Sequence, residues 1–228
     1  MSIPLQKIAI LGGAFDPPTI GHFSMAQAVL MSKTADCVWI MPCSGHQSKK
    51  YMSSADQRLK MCQLTAEHWG NQNIVVSDYE IKNKLSGATY HTVKKLIKEF
   101  PEKQFFVTIG MDNANEFDKW VKYKELIKMV PFIVFSRQKI SKERNDVTWY
   151  KKSPHIYMKC KILDTSSSKT REMLKNIDYH SVEPAKILDS LADSNIVDNV
   201  LEYIIENNLY KDRRKGESSH DEKTNVGV

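Results

Sequence analysis

Ile8-Ala-Ile-Leu-Gly-Gly-Ala-Phe-Asp-Pro-Pro-Thr-Ile-Gly-His22 is the stretch from which the rest of the chain is read. Its apolar opening, Ile8 to Leu11, has the length and composition of a buried strand. Gly12 and Gly13 remove side chains where a strand turns and where backbone must approach a ligand closely. Asp16-Pro17-Pro18 blocks an early helix, because each proline lacks an N–H and restricts the residue before it. A helix is expected from about Ile20, with Phe23, Ala26, Val29 and Leu30 on one apolar face. Strand, glycine-rich loop and helix N-terminus follow in that order. Free backbone N–H groups and the helix dipole make such a junction a natural place for phosphate.

Two familiar phosphate loops are absent. The stretch contains no G-x-x-x-x-G-K-[ST] and no G-x-G-x-x-G. It has instead Thr19-Ile-Gly-His22, which sets a hydroxyl and an imidazole across a glycine at the loop-to-helix junction.

The chain has 228 residues, 41% hydrophobic and 26% charged, with a net charge of +6. That is ordinary globular composition, enough for one large α/β domain. No leader-like segment opens the sequence, and no apolar run reaches membrane-spanning length. Cys37, Cys43, Cys62 and Cys160 show no C-x-x-C pairing and no zinc spacing, so reduced thiols in a cytoplasmic protein are expected. The positive charge suits a polyanionic ligand. It would suit nucleic acid too, but the lysines are scattered, with no basic run interleaved with aromatics, so a nucleotide is a sufficient explanation and no nucleic-acid partner is expected. No membrane partner is expected either.

Further along, Asp36–Met41 and Ile74–Val76 read as strands. Ser54-Ala-Asp-Gln57 reads as a capping box that opens a helix to Trp69, with Leu59, Cys62, Ala66 and Trp69 on one side. Asp78 to Ser86 reads as a polar connection. A helix then runs through Val93, Leu96 and Ile97 until Pro101. Phe105–Ile109 is the most strand-like run, followed by Gly110-Met-Asp112 and a short polar helix over Asn113–Phe117. Trp120 is expected to open another helix that ends near Met129. Pro131–Phe135 and Ile156–Ile162 are further strands, with an aperiodic stretch at 138–153 before the latter. Asp164 to Arg171 is a serine-rich helix start with an arginine in its first turn. An amphipathic helix through Val200, Leu201 and Ile204 ends a single domain at about 1–210, and 211–228 is a polar tail too poor in apolar residues to fold. Alternating strands and helices predict a Rossmann-like, doubly wound parallel sheet of five or six strands, with helices on both faces and further helices at the C-terminus.

Thr19-Ile-Gly-His22, preceded by Gly12-Gly-Ala-Phe-Asp-Pro17, resembles the [HT]-x-G-H signature of the nucleotidyltransferase superfamily. The Pro42 loop with its lysines, Arg58-Leu-Lys-Met61, Gly110-Met-Asp112 with Trp120 after it, and Ser166-Ser-Ser-Lys-Thr-Arg171 extend the resemblance to one branch. That branch is the nicotinate/nicotinamide mononucleotide adenylyltransferases, and the similarity runs up to Tyr210.

The resemblance implies an enzyme of NAD biosynthesis that joins ATP, with Mg2+, to a pyridine mononucleotide and releases pyrophosphate. Such a site needs no protein nucleophile. It must align two anions and neutralise charge. By resemblance His22, Thr19 and Arg171 are the catalytic residues. Gly12, Gly13, Ala14, Phe15, Gly21, His22, Gly110, Asp112, Ser167, Ser168 and Arg171 would hold ATP. Phe15, Lys49, Thr89, Thr92 and Trp120 would hold the mononucleotide, with Lys49 or Lys50 meeting its phosphate. No residue is assigned to a resident metal. The oligomeric state is left open, a homo-oligomer included.

The chain departs from the family's pattern at several positions. Thr19 stands where histidine is usual, the Pro42 loop lacks Pro-Pro-His-Lys, Ala88 replaces an aromatic residue and His91 replaces an acid. These departures leave nicotinate and nicotinamide both open. Two other readings compete with this one. One is a sister adenylyltransferase for another phosphorylated acceptor such as pantetheine phosphate. The other is a nucleotide-sensing or nucleic-acid-binding module without chemistry.

Overall fold

In the first strand, apolar residues face both ways. A computed structural model describes residues 5–45, 52–136, 147–159, 166–175 and 195–211. In β1 (Gln6–Gly13), Ile8 and Ile10 enter one core cluster while Ala9 and Leu11 enter another. A strand buried on both faces belongs inside a sheet that helices cover on both sides. The remaining strands are β2 (Cys37–Pro42), β3 (Ile74–Val76), β4 (Lys103–Gly110), β5 (Phe132–Ser136) and β6 (Ile156–Lys159). All six are parallel, in the order β3-β2-β1-β4-β5-β6. The expected doubly wound sheet is therefore present.

Helix α1 (Ile20–Met31) and helix α2 (Ala55–Trp69) pack on one face through Phe23, Ala26, Val29 and Cys62. On the other face lie α4 (Thr89–Glu99), α5 (Met111–Asn115) and α6 (Tyr123–Met129), through Val93, Leu96, Met111 and Leu126. A third cluster joins Met61 of α2 to α7 (Ser167–Lys175) and α8 (Asp198–Glu206), through Leu174, Val200, Leu201 and Ile204. Each large apolar side chain buried in this way contributes about 1.5–3 kcal/mol.

The order of strands reverses between β1 and β4. Their register, Leu11 beside Thr108, brings the carboxyl ends Gly12-Gly13 and Ile109-Gly110 to the same edge. In open α/β sheets a crevice forms there.

Several sequence expectations are confirmed and others corrected. The capping box is real: the Gln57 N–H donates to Ser54 Oγ at 3.2 Å, and the Ser54 N–H donates to Gln57 Oε1 at 3.0 Å. The buried stripe of α2 is turned by one position from the expected one. It contains Arg58, Met61, Cys62 and Thr65, whereas Leu59, Ala66 and Trp69 are half-buried. The connection at 78–86 holds a short helix, α3 (Tyr79–Lys82), too brief to show a period in sequence. The short polar helix is α5, which starts earlier than expected, at Met111. Trp120 does not open a helix. It closes a 3-10 turn (Phe117–Lys119), and Lys122 in the left-handed region, at φ 50, delays α6 to Tyr123. Another 3-10 turn, Trp149–Lys151, occupies part of the aperiodic stretch. Lys49, Lys50, Cys160, the end of the expected last strand and most of the polar tail lie outside the described residues.

Candidate active site

The glycines of the first loop are not there to make a turn. Neither Gly12 nor Gly13 has a positive φ. Gly12 still belongs to β1, and a Cβ built on it would meet nothing within 4 Å. At Gly13 a Cβ would first meet the Phe15 ring, at 3.4 Å. The open space over Gly12 is what a ligand approaching the backbone needs. The unusual backbone lies one step later, where Phe15 adopts φ 49. Left-handed conformation at a side chain of this size costs on the order of 1 kcal/mol or more and is held by its surroundings. Here the Phe15 ring is buried, with its centroid 5.0 Å from that of His22 in an edge-on contact.

His22 lies in the first turn of α1, after Thr19 at the N-cap. The Thr19 N–H donates to His22 Nδ1 at 3.0 Å, and Thr19 Oγ1 lies 2.8 Å from the same nitrogen. Because Nδ1 accepts from a backbone N–H, the neutral ring carries its proton on Nε2. An Nε2–H donor at the positive end of α1 is suited to an anionic oxygen. Gly21, beside it, is buried in the helix.

The second group comes from the C-terminal third. The Ser167 hydroxyl donates to the Pro17 carbonyl at 2.8 Å. Arg171 donates to the Asp16 carbonyl and, at 3.0 Å, to Ser168 Oγ. Arg171 lies in the second turn of α7, since the helix begins at Ser167. This corrects the expected first-turn position, and the side chain bridges the distance by reaching back. Ser166 acts as the cap, its Oγ accepting the Lys169 N–H at 3.4 Å. These residues therefore hold the Asp16-Pro17 segment. Asp16 itself is 1% exposed, and its Oδ1 accepts from Tyr210 and from the Ser53 N–H.

A third group lines a small cleft of about 40 Å³ on the opposite face of β1, with Gly12, Thr89, Thr92, Trp120 and Glu80 among its walls. The sequence singled out all of these except Glu80. Ala88 stands at the N-cap of α4, and among the described residues no side chain caps the leading N–H groups of this helix. Trp120 is shared between cleft and core, its ring 5.5 Å from that of Phe117. Glu80 is 6% exposed, and its two oxygens accept from the Thr92 hydroxyl at 2.6 Å and the Ser44 N–H at 3.3 Å. Burial pushes its carboxyl above the ordinary range, against those two hydrogen bonds and the Arg58 charge, which pull it down.

Gly110 ends β4 and caps α5, and Asp112 is exposed in the first turn of that helix, at the same edge of the sheet. Among the described residues no three His, Cys, Asp or Glu side chains converge to hold a metal ion. A larger cavity of about 610 Å³ lies beside Phe117, Tyr123 and Trp149, and contains none of the motif residues. Size does not single out the motif residues; what distinguishes their surroundings is that helix N-termini, an imidazole and glycine backbone converge there. Glu80 left no sign in the sequence, and Arg58 stood out only as part of the Arg58-Leu-Lys-Met61 segment, with no role attached. The signal for Arg58 was present, because it shares the helical spacing of Met61, Cys62 and Thr65.

Parallel strands with a glycine loop and an imidazole-bearing helix N-terminus at the switch point make an arrangement suited to a phosphate-bearing ligand. A family model described as cytidylyltransferase-like matches residues 10–173. A nicotinate-nucleotide adenylyltransferase from Bacillus subtilis is 30% identical over 209 residues, 91% of this chain and all, 100%, of that protein. A protein of Oceanobacillus iheyensis named "Probable nicotinate-nucleotide adenylyltransferase" is 31% identical over 90% of this chain and 97% of its own length. The nicotinic acid mononucleotide adenylyltransferase of Plasmodium falciparum, solved with NaAD, superposes with a TM-score of 0.71 at 22% identity, covering 90% of this chain and 97% of that one. The chain belongs to the nicotinate-nucleotide adenylyltransferase family of cytidylyltransferase-like proteins.

Proposed function

We propose that the chain transfers the adenylyl group of ATP to nicotinate mononucleotide, a step of NAD biosynthesis in the cytoplasm. An oxygen of the mononucleotide phosphate forms a bond to the α-phosphorus of ATP. The bond from that phosphorus to the β-phosphate bridging oxygen breaks, and pyrophosphate leaves. Mg2+ enters with ATP, bound by phosphate oxygens and water rather than by a protein cage. Residues 1–210 act as one catalytic domain.

One observation carries this reading. The N-termini of α1 and α4 flank the end of β1 from opposite faces of the sheet. Two anions brought to two helix N-termini would meet over Gly12, where the backbone is open. In this reading His22 donates from Nε2–H to the α-phosphate as charge builds in the transition state. Thr19 fixes the ring, and the Gly12–Phe15 backbone lies along the phosphates. Gly110 and Asp112 receive the adenosine. Ser167, Ser168 and Arg171 exchange their present partners for the β- and γ-phosphates. Phe15 and Trp120 face the pyridine ring, with Thr89 and Thr92 at its substituent and Lys49 at the acceptor phosphate.

The uncapped start of α4 favours the acid over the amide. An anion at such an end gains up to about 2 kcal/mol, a factor of roughly thirty. The test is pyrophosphate release from MgATP with nicotinate mononucleotide, nicotinamide mononucleotide and pantetheine phosphate, compared as kcat/KM. Turnover with the acid at about ten times the amide's rate or more is expected. Faster turnover with pantetheine phosphate would reject the acceptor assignment.

A further inference from the structure

Arg58 is 0% exposed, yet no acidic side chain among the described residues lies within ion-pairing distance of it. A guanidinium in that setting costs several kcal/mol to bury, more than an apolar residue of the same size. Its donors instead go to backbone carbonyls from separate segments. Nε donates to Ser53 at 3.1 Å, Nη1 to Ala14 at 2.8 Å and Nη2 to Cys43 at 2.7 Å. Ala14 belongs to the loop after β1, and Cys43 to the loop after β2. The same two loops are also joined directly, by the Cys43 N–H to the Gly13 carbonyl at 2.9 Å.

The next residue continues the chain of contacts. The Ser44 N–H donates to Glu80 Oε2, whose other oxygen holds the Thr92 hydroxyl on α4. Gly45 then presses on Gly87, just before α4. A Cβ at Gly87 would lie 2.3 Å from the Gly45 carbonyl oxygen. Residues 43–45 are thus held between the glycine loop on one side and the acceptor cleft on the other. Only a planar fork can reach both loops from one buried position; an ammonium on a single stem cannot.

We propose that Arg58 and Glu80 are positioning residues that lock the glycine loop and the α4 cleft together through Cys43 and Ser44, so that disturbing either end weakens both. This rests on the proposed adenylyl transfer, in which the loop holds ATP and the cleft holds the acceptor. Coupling of this kind passes through a connected hydrogen-bond network.

The decisive variants lie on the acceptor side, where Glu80→Gln and Thr92→Val keep volume nearly unchanged. MgATP affinity is measured by titration calorimetry on the full chain, beside acceptor KM and melting temperature. Both variants weaken MgATP binding about three- to tenfold, although neither side chain bonds the glycine loop. Arg58→Lys raises acceptor KM by a similar factor. Unchanged MgATP affinity in both acceptor-side variants overturns the proposal, even if acceptor KM or melting temperature moves. Wild-type turnover with nicotinate mononucleotide is followed in parallel. Its absence counts against the assigned activity, while the MgATP titration still decides the coupling. Failure of the wild type to bind MgATP overturns both.

Discussion

Tyr210 donates its hydroxyl to Asp16 Oδ1 at 2.7 Å, joining residues 194 positions apart. Burial and the Asp16 charge both raise the phenol's pKa, so it stays a donor. Asp16 sits in the loop between β1 and α1, and its Oδ2 has no partner among the described residues. The C-terminal segment thus holds the loop that leads into α1, alongside Ser167 and Arg171.

Removing that donor leaves a buried carboxylate with one partner fewer. Hydrogen bonds to charged groups are worth more than neutral ones, so Tyr210→Phe is expected to lose about 1–3 kcal/mol. Urea denaturation with matched slopes checks this. A variant as stable as the wild type would show that the contact contributes nothing.

Gly12→Ala separates folding from function. The new methyl group meets no protein atom within 4 Å, and the backbone needs no positive φ. Melting temperature should stay within about 2 °C of the wild type, the shift expected from a change of some 0.5 kcal/mol. Pyrophosphate release should fall at least about tenfold, because the methyl group fills the space over the strand end.

Gly87→Ala should be costly where Gly70→Ala is mild. Both residues have positive φ, 78 and 60 respectively, but a Cβ at Gly70 meets nothing within 4 Å. Gly70→Ala therefore carries only the left-handed penalty, about 1 kcal/mol. Gly87→Ala adds a backbone clash, so its loss should exceed that by about 1 kcal/mol or more, with a raised acceptor KM. Equal losses in the two variants would contradict the close approach of Gly45.

His155 gives a pH dependence. Burial lowers its pKa below the ordinary 6.5, and its Nδ1 accepts the Phe132 N–H at 3.2 Å. The unfolded chain binds this proton more readily, so stability rises with pH across the window. The contribution is full above 6.5 and is lost as pH falls from there toward the lower folded value. Urea midpoints of the wild type and His155→Gln should converge as pH drops below that value. A constant difference would mean that folding leaves the His155 pKa unshifted.

What the sequence revealed was local, and what it hid was long-range. β1, β2, β4 and β5 were readable because continuous apolar runs mark strands buried on both faces. The α2 start was readable because Ser54 and Gln57 lie within one turn. Thr19 and His22 were readable for the same reason, their contact spanning three residues. Trp120 was misread because a single left-handed residue, Lys122, breaks a pattern that periodicity alone would continue. The burial of Arg58 was not legible, because a charged side chain on a helix is normally solvated. Only the carbonyls of Ala14 and Cys43, distant in sequence, make its burial intelligible. The contacts of Asp16 with Arg171 and Tyr210 left no local trace at all.

The imidazole of His22 is the part of the site that the proposed chemistry needs most. The direct test is pyrophosphate release from MgATP and nicotinate mononucleotide by wild type and His22→Ala, with MgATP affinity measured on both. Loss of one donor to a developing charge predicts a fall in kcat of about a hundredfold or more, with MgATP still bound. Turnover by His22→Ala at the wild-type rate would contradict the assignment of His22 and, with it, the α1 N-terminus as the place where the adenylyl group is transferred.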